Sequence, residues 1–406
     1  MVLARKILSP ALLPPALLAA IATWATWTDS LHHLLNGQGM FPVYADLRSV
    51  TATAECIIRD PSWTITSPTC DPFGREYNYP SFWAQSFALL RLDVSRTEEV
   101  AMLMMGLFIL AFAIICFLVI GPSRRGFLLF SVSASAIAPP TWLAIERANI
   151  DLFIFVLMTF GALLWLRRRS LLSALVLAIA SILKIFPVGS YLLFYQARDR
   201  HPYAPWLFLA VGIPGLLYLL PEVSSISRRT PQVPVNSFGA PLLFEGAAEA
   251  LKLEWGAHAP RLLGVFLFVA IGAIFIFAES HRSRVAELMT TTVNDIAVDR
   301  VASVLILTFG GPFITAYVLG TNFDYRLVFA IPIVAGLARS SASGRSLGRG
   351  LAGAFVVQMW LTYPAPIWIE VASDLAWVAL GPIFALIVFR VSCKMHSHSK
   401  EFATQP

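Results

Sequence analysis

Residues 98–120 read EEVAMLMMGLFILAFAIICFLVI. Beyond Glu99 the run carries no charge, and at about 1.5 Å per helical residue it reaches across the roughly 30 Å hydrocarbon core of a bilayer. Runs of this kind recur on both sides of it along a chain of 406 residues that is 57% hydrophobic and only 13% charged. Ordinary soluble domains carry roughly twice that charge. Lipid offers no partner to backbone N–H and C=O groups, so each span is expected to be a helix. The fold class is therefore an all-α polytopic membrane protein.

About twelve helices are expected, near 7–27, 98–120, 126–141, 150–166, 170–183, 185–197, 204–221, 261–278, 301–318, 327–338, 351–367 and 373–390. The short pair flanking Lys184 suggests half-spans in a re-entrant hairpin. Residues 1–406 read as a single transmembrane domain with two long loops, 28–97 and 222–260, both rich in Pro, Ser and aromatic residues and able to carry short interfacial helices. No second soluble domain and no heptad or short solenoid repeat is visible. Arg5 and Lys6 followed by an apolar segment to Trp27 imitate a signal peptide; with many spans following, the segment is read as a retained first helix.

The formal charge of +6 is spread over short loops. That is the pattern of positive-inside bias rather than of a nucleic-acid surface, so the expected surroundings are membrane lipids and no nucleic acid. With the N-terminus cytoplasmic, the inside segments hold Arg5 and Lys6, Arg124 and Arg125, Arg167 to Arg169, Arg198 and Arg200, Arg282, Arg284 and Arg300, Arg339, Arg345 and Arg349, and Arg390, Lys394 and Lys400. Both long loops then face outward and the C-terminus is cytoplasmic. The expected location is the bacterial inner membrane. Cys56 and Cys70 share the outer side and are a disulfide candidate, with two free thiols as the alternative, whereas Cys116 falls in a span and Cys393 in the tail.

This threading gathers the unusual polar clusters at the extracytoplasmic face. Asp46 and Arg48 stand in FPVYADLRS. Asp71, Arg75, Glu76, Tyr77, Asn78 and Tyr79 stand in CDPFGREYNYPSFW. Glu146, Arg147, Asn149 and Asp151 interrupt TWLAIERANIDLFIF at 141–155. Lys184 stands in SILKIFPV, and Asn322, Asp324 and Arg326 in GTNFDYRLVF. Ionisable groups at a membrane are functional candidates, and mixed Arg, Lys and Asp suit an anionic substrate with a group to deprotonate. Blander readings accompany each cluster. Arg147 and Asp151, as i,i+4 partners, could close a helix-end ion pair. Lys184 could snorkel, Asp324 and Arg326 could pair within their loop, and Tyr77, Tyr79, Trp83 and Phe87 could form an interfacial aromatic belt.

Taken in order, an early loop aspartate (Asp46), YNYPSFW, ERANID opening a span, LKIFP at a hairpin and NFDYRL opening a late span resemble the polytopic GT-C glycosyltransferases. The nearest group is the mannosyltransferase-like family 87, and the motifs anchor roughly residues 40–330. A Gly is common in that family where Ala148 stands, and a Pro where Ser81 stands. The resemblance implies a GT-C-like bundle and an inverting transfer of a hexose or pentose, such as mannose, at the extracytoplasmic face. The donor would be a polyprenyl-phosphate-linked sugar and the acceptor a lipid or glycan of the cell envelope. Asp46 is then the candidate general base. Arg147, Lys184 and Arg326 are candidate phosphate contacts. Glu146, Asn149, Asp151, Asn322 and Asp324 would position those cations or bind sugar hydroxyls, with Tyr77 and Tyr79 along the substrate path. No acid stands directly beside Asp46 to complete the paired-carboxylate motif of some members, which argues against a divalent metal; no cofactor is assigned.

The competing class is a transporter or flippase of a lipid-linked or other anionic substrate, built on broken helices. Hydrolase chemistry lacks support, since there is no nucleophile elbow and no His-Glu zinc motif. His32 and His33 are expected on the side opposite His396 and His398.

Overall fold

The computed structural model describes residues 10–27, 41–62, 68–120, 126–195, 202–229, 237–250, 252, 259–319, 322–340, 347–361 and 367–403. Arg5, Lys6, His32, His33, Arg124, Arg125, Arg198, Arg200 and Arg345 lie outside them, as do the side chains of His396, His398 and Lys400.

The helices in chain order are α1 (Leu13–Trp27), α2 (Ala45–Arg59), α3 (Ser81–Leu89), α4 (Thr97–Ile120), α5 (Gly126–Ala136), α6 (Pro139–Glu146), α7 (Asp151–Leu166), α8 (Ser170–Leu183), α9 (Tyr191–Tyr195) and α10 (Tyr203–Arg229). They continue as α11 (Leu242–Ala250), α12 (Ala259–His281), α13 (Ser283–Val298), α14 (Arg300–Leu305), α15 (Gly311–Leu319), α16 (Ala330–Ser340), α17 (Gly348–Leu361) and α18 (Ile367–Ala403). Strands β1 (Ser237–Phe238) and β2 (Asn322–Phe323) pair antiparallel, with Phe238 opposite Asn322.

The protein is helical, and among the described residues six helices are long and apolar enough to cross a membrane: Val94–Ile120, Gly126–Glu146, Tyr203–Glu222, Ala259–His281, Arg300–Val318 and Ala372–Met395. Pro10–Thr26, Asp151–Leu166, Ser170–Leu183 and Phe186–Tyr195 are apolar but shorter. The described parts of helices α16 and α17 are 11 and 14 residues long, less than the roughly 30 Å of a bilayer core requires; residues 341–346 and 362–366, which follow them, lie outside the described residues.

Local chemistry explains where the elements depart from the reading of the sequence. The segment expected at 126–141 runs on to Glu146, because Pro139 and Pro140 occupy the first positions of α6, where a missing N–H costs nothing. Of the helix expected at 185–197, the described part is a 3-10 turn, Phe186–Ser190, followed by α9, and residues 196 and 197 lie outside the described residues. The segment expected at 327–338 opens as the 3-10 turn Asp324–Phe329 before α16.

Helix α13 occupies what the apolar pattern left as a basic loop. Its Met289, Thr292, Val293 and Ile296 are buried at helical spacing while Arg284 and Glu287 are exposed, an amphipathic stripe without a long apolar run.

The long first loop is structured where it is described. Helix α2 is buried along most of its first ten residues, including Thr51 and Thr53. The Thr51 and Thr97 hydroxyls share a hydrogen bond of 2.8 Å, which fixes α2 to the start of α4. Cys56 near the end of α2 is disulfide-bonded to Cys70, with 6.3 Å between Cα atoms.

Beneath this layer, aromatic rings tie the elements together. Phe155 on α7 meets Phe108, Phe309 and Phe329, and Phe329 meets Phe186 at 5.0 Å between centroids. The start of α7, the turn at 186–190 and the turn at 324–329 are thereby held around one hydrophobic core.

Candidate functional site

The chain leaves α6 at Glu146, passes Ala148 in the left-handed region at φ 43°, and re-enters a helix at Asp151. Arg147 and Asp151 are therefore not i,i+4 partners on one helix. The Asn149 side-chain carbonyl accepts the Asp151 N–H at 2.9 Å and so satisfies an amide of the first turn of α7.

Two carbonyls of this break are used elsewhere. Tyr44 N–H donates to the Glu146 carbonyl at 2.7 Å, and the amides of Asp46 and Leu47 donate to the Arg147 carbonyl at 3.2 and 3.3 Å. Helix α2 has no side-chain cap at Tyr44, whose φ is 66°. The amides of Asp46 and Leu47 in its first turn are met by the Arg147 carbonyl instead, and that places Asp46 over the break.

Asp46 is 6% exposed. Its Oδ2 accepts from Asn149 Nδ2 at 2.6 Å, and its Oδ1 lies 3.4 Å from Arg75 Nη1 and 3.9 Å from Arg147 Nη1. Asn149 Nδ2 also donates to the Tyr79 hydroxyl at 3.1 Å, while its Oδ1 faces Lys184 Nζ at 3.4 Å. Lys184 Nζ sits 2.5 Å from Asp151 Oδ1 and over the Tyr79 ring at 5.5 Å. Arg326 Nε approaches Asp151 Oδ2 at 3.4 Å, and its guanidinium lies over the Phe186 ring. Asn149 thus joins a carboxylate on α2 to an ammonium at the end of α8.

The remaining sequence candidates divide. Glu146 and Asp324 are buried, and the turn carrying Asp324 packs on α6. Tyr77 is buried, donates to the Pro80 carbonyl at 3.4 Å and lies 5.9 Å from the Tyr79 ring, one layer behind the cluster. Neither tyrosine is an exposed belt residue, and Lys184 is part-buried and ion-paired with Asp151. Asn322 enters the β1–β2 pair through its backbone; its side chain lies outside the described residues.

Arg75 and Tyr325 received no role from the sequence. Arg75 reaches Asp46 across 29 positions, a contact for which no local pattern exists. Tyr325 is buried between Asp324 and Arg326. Burial, then the Asp46 charge, hold its phenol well above the ordinary value, and burial does the same for Tyr79. Both hydroxyls therefore remain protonated and can donate. Burial pulls the Lys184 ammonium down to about 8, with Asp151 opposing and Arg326 reinforcing.

Helix α3 is bolted to this assembly. Trp83 Nε1 donates to the Leu183 carbonyl at 3.2 Å, just before Lys184. The Glu222 carboxylate accepts both the Ser81 N–H at 2.8 Å and the Ser81 hydroxyl at 2.5 Å. A proline at 81 would have no N–H to give. Among the described residues, no group of three or more His, Cys, Asp or Glu is placed to hold a metal ion.

No family model, no curated protein and no solved structure matches the chain.

Proposed function

We propose that the protein is an inverting glycosyltransferase of the GT-C type, like family 87. It would use a polyprenyl-phosphate-linked sugar at the extracytoplasmic face of a bacterial inner membrane, in a bundle of about twelve spans with both termini cytoplasmic. The acceptor is a hydroxyl of a cell-envelope lipid or glycan. The observation that carries the reading is the bridge through Asn149, which brings a candidate base, Asp46, beside the cations Arg147, Lys184 and Arg326.

In the proposed reaction the acceptor oxygen attacks the anomeric carbon and its proton passes to Asp46. The bond to the phosphate oxygen breaks with its electron pair, and polyprenyl phosphate departs. Charge grows on that phosphate as the bond breaks, so cations fixed in place beforehand stabilise the transition state more than the ground state. Asp151 holds Lys184 and Arg326 in such positions before any substrate arrives. The Tyr79 and Tyr325 hydroxyls supply further donors beside the same cations.

The test is purified protein in lipid nanodiscs with radiolabelled polyprenyl-phosphate sugars and extracted envelope acceptors. Transfer of label to the acceptor is the expected result. A second reading, a transporter or flippase, draws on the helix breaks at 147–150 and 186–190 that adjoin the cluster, since transporters bind substrates at discontinuous helices. Label crossing proteoliposome membranes without any transfer would favour that reading.

A further inference from the structure

Arg75 takes no part in the chemistry above, yet it grips the Asp46 oxygen that Asn149 leaves. Its Nη1 lies 3.4 Å from Asp46 Oδ1, and its Nη2 donates to the Ala45 carbonyl at 2.8 Å. The same guanidinium forks onto Asp71, with Nε 3.3 Å from Oδ1 and Nη2 3.2 Å from Oδ2, and covers the Phe73 ring at 4.7 Å. Asp71 Oδ1 also accepts the amides of Phe73 at 2.8 Å and Arg75 at 3.4 Å. The turn between them closes at Gly74, where φ is 66°.

Asp71 directly follows Cys70, and Cys70 is bonded to Cys56 on the helix whose first turn carries Asp46. The links form a ring. It runs along α2 from Asp46 to Cys56, through the disulfide to Cys70, on to Asp71 and Arg75, and back to Asp46. A part-exposed i,i+4 ion pair such as Asp71–Arg75 is weak alone. The covalent crosslink supplies the reach, because it removes the freedom of the 71–75 turn to drift from α2.

We propose that this ring is a positioning device: Arg75 is a positioning residue that fixes the orientation of the Asp46 carboxylate, and the Cys56–Cys70 disulfide makes that orientation depend on thiol oxidation. The inference rests on the reading of Asp46 as base. A carboxylate gripped on both oxygens cannot turn, so its remaining lone pairs keep fixed directions, and a displacement of about 1 Å at a reacting group can cost about 100-fold in rate.

The experiment compares the intact protein with Arg75→Met, Arg75→Lys, Asp71→Asn and the double variant Cys56→Ser/Cys70→Ser, all in nanodiscs. Hydrogen exchange at the amides of Asp71, Phe73, Gly74 and Arg75 is read beside transfer kinetics. Arg75→Met and the double serine variant should each speed that exchange about tenfold or more. They should lower kcat about 100-fold while donor KM moves less than about threefold. Arg75→Lys, which keeps the charge but loses the fork, should fall between intact protein and Arg75→Met, and Asp71→Asn should follow Arg75→Met. Unchanged exchange in both Arg75→Met and the serine variant, or exchange that rises with kcat unaltered, overturns the device. If intact protein transfers no sugar from any donor, the glycosyltransferase reading fails on its own, and exchange alone still decides whether the ring holds the turn.

Discussion

Lys184 Nζ lies 2.5 Å from Asp151 Oδ1, with the two side chains only 12% and 0% exposed. Removing one partner of a buried pair strands the other charge, at a cost of about 3–5 kcal/mol. Arg326 remains 3.4 Å from Asp151, so Lys184→Met should fall near the lower end, at about 3 kcal/mol. The double variant Lys184→Met/Asp151→Asn should cost clearly less than the sum of the single changes. Thermal unfolding midpoints in detergent, combined as a double-mutant cycle, check this; simple additivity would mean the pair is not coupled.

Titration of Lys184 should move stability and anion binding in opposite directions. Its folded value of about 8 lies below its ordinary 10.5, so the fold disfavours the ammonium. That penalty is fully present below about 8 and fades as pH rises from 8 towards 10.5, so unfolding midpoints should rise across this window relative to Lys184→Met. If Lys184 contacts the donor phosphate as proposed, binding of a phosphate-bearing lipid should weaken above pH 8, by at most about tenfold per pH unit for one proton. Affinity that is flat from pH 7 to 10 would remove Lys184 from the phosphate site.

Asp46→Asn should abolish sugar transfer while leaving donor binding within about threefold, because the amide keeps the shape but cannot take a proton. Arg147→Met and Lys184→Met should instead weaken donor binding. A fully active Asp46→Asn variant would exclude Asp46 as the base.

At Ala148, φ is 43° and the residue is 1% exposed. The left-handed conformation costs a non-glycine residue about 1–2 kcal/mol, and the buried methyl returns roughly 0.8 kcal/mol. Ala148→Gly should therefore change stability by less than about 1 kcal/mol. Ala148→Val, branched and in the same conformation, should cost more than about 2 kcal/mol. Chemical or thermal unfolding of the two variants side by side is the check.

Glycine matters more where α15 crosses the turn after Lys184. A Cβ on Gly311 would fall 2.2 Å from the Gly189 carbonyl oxygen, and one on Gly189 would fall 2.3 Å from the Gly311 backbone. Gly311→Ala should destabilise by about 1–3 kcal/mol or more by forcing the two backbones apart. It should also weaken donor binding, because Lys184 precedes this turn. Unaltered unfolding of Gly311→Ala would show that the crossing tolerates a methyl group and does not fix the turn after Lys184.

The run after Glu99 was enough to read helices and membrane from the sequence, because uninterrupted apolar length leaves few alternatives. The charges of TWLAIERANIDLFIF, SILKIFPV and NFDYRL were legible as oddities beside apolar segments, and Asp46, Arg147, Asn149, Asp151, Lys184 and Arg326 do lie together. What stayed hidden was pairing. Asp151 reads as a neighbour of Arg147 but binds Lys184 and Arg326, because a left-handed residue at 148 breaks the helix between them. Helix α13 was hidden for another reason: amphipathic burial leaves no apolar run to notice. Arg75 was seen as one charge among several, since nothing local distinguishes a cation that reaches Asp46 from one facing water.

The bonds that seat Asp46 over the 146–147 break run from main chain to main chain. Such contacts are blind to side-chain identity. Exchanging the guanidinium of Arg147 for an uncharged group therefore deletes a charge without unseating its neighbour, and a loss of function in Arg147→Met can be assigned to electrostatics rather than to a displaced helix.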